Sequence, residues 1–93
     1  MNCSSILFTR HAVQRMFERK LSRDGVKSIV LEGEIIQSYP NDKPFPSYLI
    51  LGYHNRNALH VVVGKNEESS ECIVVTVYRP NTEKWSDDFK RRQ

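Results

Sequence analysis

The sequence predicts a single α+β domain, two N-terminal helices followed by a four-stranded antiparallel sheet. Three observations predict it: helical apolar spacing confined to the first third, strand-like β-branched runs afterwards, and turn residues between those runs. At 93 residues the chain has room for one core, taken as residues 5–89 of a single domain spanning 1–93.

Thr9 is the natural N-cap of a first helix over Arg10–Lys20, in which Ala12, Val13, Met16 and Phe17 form the apolar stripe. His11, Arg15, Glu18 and Arg19 line its opposite side. A second helix starts at the cap Ser22, buries Val26, Ile29 and Val30, and stops at Gly33, a C-terminal glycine able to take positive φ. Strands follow at 34–39, 48–54, 58–64 and 72–78, joined by the proline-rich loop 40–46, a three-residue turn Asn55-Arg56-Asn57, and the segment 65–71.

Counting outward from those turns aligns Leu51 with Val61 and Val75, Leu49 with Val63 and Ile73, and Tyr53 with Leu59 and Val77, on the face that the helices cover. The other face then carries Gly52, His60 and Thr76 in one row, His54, Ala58 and Tyr78 in a second, and Ile50, Val62 and Val74 in a third.

Net charge is +3, unevenly spread. Residues 1–30 hold six Lys/Arg against two acids, 31–71 three against six, and 72–93 five against three. The basic ends suit a polyanion, and equally a solvated helix face. Ile6-Leu7-Phe8 is too short for a signal peptide or a membrane span, so a cytoplasmic, membrane-free protein is expected, with Cys3 and Cys72 as free thiols. The histidines are widely spaced, and no paired Cys/His motif or glycine-rich phosphate loop occurs, so neither metal nor cofactor is expected.

The residues that invite chemistry are few. His60 lies within Leu-His-Val-Val-Val, where an imidazole needs a partner or a task; Gly52 and Thr76 are its expected supports. The competing reading is a structural histidine bonded to Thr76. His11 with Arg15 one turn on offers a proton carrier and a phosphate clamp, set against an Arg15–Glu18 surface pair. Tyr78 and Arg79 end the last strand before Pro80.

Phe8-Thr9-Arg10-His11-Ala12 with Arg15-Met16 and Glu18-Arg19, Leu59-His60-Val61-Val62 and Thr76-Val77-Tyr78-Arg79-Pro80 together resemble a family of short bacterial domains of unassigned function. That family looks related to RelE/ParE-type and BrnT-type toxins, a resemblance that implies a RelE/barnase-like fold. The resemblance implies a toxin-like RNA-binding domain. If it is an enzyme, its chemistry would be metal-independent RNA cleavage by His60, His11 and Tyr78, with phosphate held by Arg15, Arg19 and Arg79. RNA and a cognate antitoxin-like protein are the implied partners. The alternative is a noncatalytic interaction or accessory module, presenting an apolar patch at Ile50, Val62 and Val74. A helix packed on the apolar sheet face would leave His11 and His60 on opposite sides of the sheet.

Overall fold

The computed structural model describes residues 1–93 as one α+β domain. Its elements are β1 (Ser5–Phe8), α1 (Arg10–Glu18), α2 (Arg23–Glu32), β2 (Glu34–Tyr39), β3 (Ser47–His54), β4 (Asn57–Lys65) and β5 (Glu71–Tyr78). They build one mixed sheet in the order β1-β5-β4-β3-β2. The expected four-stranded antiparallel sheet is therefore corrected to five strands, and the helices lie between the first two strands instead of preceding all of them. The missed strand is the four-residue Ser-Ile-Leu-Phe, which pairs parallel to β5 from Ser5↔Glu71 to Phe8↔Val74. Four residues carry too little alternation to declare a strand, and a parallel partner far along the chain leaves no hairpin signal.

That pairing also brings Cys3 beside Cys72, with Cα atoms 5.6 Å apart, and the two form a disulfide. The expectation of free thiols rested on an inferred compartment; the bridge closes a loop across a separation of 69 residues. No helix is long and apolar enough to cross a membrane.

Both helix caps form as the sequence indicates. The Thr9 hydroxyl accepts from the Ala12 amide and the Ser22 hydroxyl from that of Gly25. α1 buries only Ala12 and Met16, whereas Val13 and Phe17 are exposed, Phe17 by 84%. The end of α2 differs too: Gly33 has φ −71°, so it is not a left-handed cap. Glycine is required there because a Cβ would stand 2.6 Å from the Ile29 carbonyl and 2.7 Å from that of Leu51.

The core lies between the helices and one sheet face. It joins Ala12, Met16, Val26, Ile29 and Val30 to Ile50, Leu59, Val61, Val63, Val74 and Val77. Side chains alternate along a strand, so His60, Val62 and Gly64 point to the opposite, rear face. Leu49, Leu51 and Trp85 are buried outside the main cluster, on that rear side.

Two local features shift the rows away from those counted from the sequence. The β3–β4 turn has two residues, not three: Asn55 and Arg56 both have positive φ (50° and 69°), the pattern of a type I′ hairpin, and His54 pairs with Asn57. Ile50 and Gly52 therefore face the helices, with Leu49 and Leu51 behind. In β5, Val62↔Thr76 is followed by Val63↔Val74, so Val75 is the extra residue of a bulge. It lets Val74 and Val77 both enter the core while Thr76 and Tyr78 share the rear face with Val62 and His60. The predicted patch of Ile50, Val62 and Val74 is thereby dissolved: Ile50 and Val74 are fully buried core residues.

The turn yields a direct test. A non-glycine residue in the left-handed region costs about 1–2 kcal/mol, and type I′ turns favour glycine at the second central position. Arg56→Gly is expected to raise stability by about 1 kcal/mol in denaturant unfolding. A loss of stability would contradict the two-residue turn.

Candidate functional site

β4 holds His60 in the middle of the sheet, paired with Leu51 on one side and Tyr78 on the other. The imidazole is fully buried. Its Nε2 lies 2.8 Å from the Phe89 carbonyl oxygen and its Nδ1 3.1 Å from the Tyr78 hydroxyl. A carbonyl only accepts, so Nε2 carries the proton; in the neutral ring Nδ1 then accepts from the Tyr78 O–H. The indole of Trp85 meets the imidazole edge-on, with centroids 4.4 Å apart and planes at 89°.

Burial pushes the His60 pKa below its ordinary value, an effect that the bond to Phe89 opposes. Burial likewise raises that of Tyr78, with Tyr39 adding to the rise and Arg92 opposing it. The pair is thus held neutral.

The supports expected for His60 lie elsewhere. Gly52 faces α2, where a Cβ would stand 2.6 Å from the Ile29 side chain, so it lets helix and sheet approach closely. Thr76 is one pair along from Tyr78, and its hydroxyl is 3.0 Å from Nε2 of His11. β1 ends at Phe8, which leaves the outer edge of β5 free beyond Val74. There the Thr9 amide donates to the Val74 carbonyl (3.0 Å) and its hydroxyl to that of Val75 (2.9 Å), seating the first turn of α1 on the edge. His11 consequently reaches round to a residue of the rear face, and the expected separation of His11 and His60 by the sheet does not hold. The order across the rear face is His11, Thr76, Tyr78, His60; Thr76 and Tyr78 stand about 6.6 Å apart by strand geometry.

The arginines are dispersed. Arg15 is engaged by Glu18 at 3.1 Å, both side chains being well exposed. Arg19 sits at the C-cap of α1 with its Nε buried and unpartnered, and Arg79 is exposed just past β5. No group of three or more His, Cys, Asp or Glu side chains is arranged to hold a metal ion.

Two irregular segments cross the rear face. The loop after β2 places Pro44 and Phe45 over one end, and residues 81–93 cover His60 at the other. A groove of about 390 Å³, lined by Thr9, Lys43, Phe45, Val62, Ile73 and Val75 among others, remains open. Sequence reasoning missed the tail residues Trp85 and Phe89; the one signal for them was a pair of aromatics in an otherwise polar tail.

A mixed five-stranded sheet with a histidine-bearing rear face is what the geometry defines. The chain belongs to the family described as Domain of unknown function (DUF4258), whose model matches residues 8–79. No curated protein and no solved structure matches it.

His60 makes a pH test possible. Its folded pKa lies below the unfolded value of about 6.5, so the unfolded chain binds the extra proton more readily. The neutral-ring stability is fully present above about pH 6.5 and declines as the pH falls towards the folded pKa. Thermal unfolding between pH 7.5 and 5 should show this decline in the wild type and a shallower one in His60→Ala, with the variant roughly 1–3 kcal/mol less stable at neutral pH because its partners are stranded. Equal pH slopes would show that His60 is not the group responsible.

Proposed function

We propose that this chain is a toxin-like RNA-binding domain whose rear sheet face meets the nucleic acid. The observation that carries the reading is the convergence of His11, Thr76, Tyr78 and His60 on one face, with His11 exposed at its rim. The resemblance to RelE/ParE-type and BrnT-type toxins supports the class of reaction.

In this reading the 2′-hydroxyl of a bound nucleotide attacks the adjacent phosphorus. The new 2′-O–P bond forms as the bond to the 5′-oxygen breaks. His11, oriented by the Thr76 hydroxyl, takes the 2′-hydroxyl proton, and Tyr78 turns its O–H away from His60 Nδ1 to give its proton to the leaving 5′-oxygen. His60 positions Tyr78 through Nδ1. Arg79 and the basic residues of the tail attract phosphate. Proton exchange with solvent returns both groups to their starting states.

A second reading has its own observation. The open groove is largely apolar, and His60 is enclosed, which suits a noncatalytic module that seats a protein such as an antitoxin-like partner. The two readings separate experimentally. RNA binding that weakens steeply with salt, and cleavage that drops roughly a hundredfold in His11→Gln while the fold persists, are the expected results. Undetectable RNA binding at low salt would leave the interaction module as the better account.

A further inference from the structure

The family match ends at residue 79, yet residues 81–93 lie across the rear face of the domain that precedes them. This tail is largely self-contained. Within it the Gln93 amide donates to the Lys84 carbonyl and the Ser86 amide to that of Arg91. The Gln93 side chain adds a bond to the Trp85 carbonyl at 2.7 Å, and the Arg92 guanidinium lies 5.7 Å from the centre of the indole ring. Only two polar contacts tie this unit to the sheet: His60 Nε2 to the Phe89 carbonyl, and the exposed Lys90–Glu34 pair at 3.0 Å. Phe89 holds φ 62°, an unfavourable conformation for its residue type, and its carbonyl is the one that meets His60.

What the tail sets against His60 has a recognisable chemistry. It offers a planar, nitrogen-containing aromatic ring at 4.4 Å, a guanidinium on that ring, and a carbonyl oxygen at 2.8 Å from a ring N–H. A uracil, cytosine or guanine base carries the same two features, a planar aromatic ring and an exocyclic carbonyl, and unpaired bases are commonly held by aromatic contacts, here edge-to-face, with hydrogen bonds to their edges. We propose that the shelf of Leu51, His60 and Tyr78 is a nucleobase subsite that residues 81–93 occupy in cis, with the Trp85 indole in the place of the base. This rests on the RNA-binding reading above and adds where a base goes and what it must displace. Bound RNA lifts the tail, and the affinity of the full chain is reduced by the fraction of time the shelf is covered.

Trp85 is the single tryptophan, so the wild-type protein reports on its own tail. A single-stranded oligouridylate is titrated while indole emission is recorded, and modification of His60 by diethyl pyrocarbonate is located by peptide mass spectrometry. RNA is expected to shift Trp85 emission to the red. Modification, run with the RNA bound and again after it is removed, should find His60 protected in both but reactive in Trp85→Ala without RNA. If open forms make up a tenth or less of the population, Trp85→Ala binds the RNA roughly tenfold or more tightly. RNA binding with unchanged Trp85 emission, or a folded Trp85→Ala that binds no better, overturns the subsite and leaves the RNA-binding reading intact. Absence of binding by either protein overturns both. Should Trp85→Ala fail to fold, the wild-type emission titration alone decides.

Discussion

The bond from His60 Nε2–H to the Phe89 carbonyl sets the chemistry of the rear face. It fixes the proton on one ring nitrogen, so the other must accept from Tyr78, and the phenol is aimed as a result. The same bond anchors the tail that brings Trp85 onto the ring. An imidazole buried in a valine-rich strand without these partners would cost roughly 1–3 kcal/mol per stranded group. With them it organises a small second core, Leu49, Leu51 and Trp85, behind the sheet.

A second constraint decides which residues share that face. Val75 is one residue more than the pairing of β4 and β5 needs, and the bulge it forms turns Thr76 and Tyr78 rearward while keeping Val74 and Val77 in the core. The early end of β1 then exposes the edge where Thr9 seats α1 and where His11 meets Thr76. A strand one pair longer would cover that edge. The proposed function depends on this arrangement more than on any arginine, since Arg15 is already paired with Glu18 and Arg19 closes the far end of α1.

Much of the local structure was legible in the residues. Both caps, Thr9 and Ser22, and the extents of β2 to β5 follow from capping chemistry and strand spacing, and the need of His60 for a partner followed from its apolar neighbours. What stayed hidden depends on contacts distant in sequence or on single-residue register. The parallel pairing of β1 with β5 has no local signature, and neither does the Cys3–Cys72 approach that it produces. Asn55-Arg56 lacks the glycine that marks a two-residue hairpin, so the turn reads one residue too long and β3 comes out inverted. Gly52 passed from the neighbourhood of His60 to the interface with Ile29 for that reason.

The central claim, that RNA meets the rear face and not the basic outer surface of the helices, is tested most directly by mapping backbone amide shifts in an NMR titration with single-stranded RNA. The account predicts the largest changes at His11, Thr76, Tyr78 and the tail around Trp85, with Lys20 and Lys27 little affected. Changes confined to the helix surface, with the amides of β5 and the tail unmoved, would contradict it.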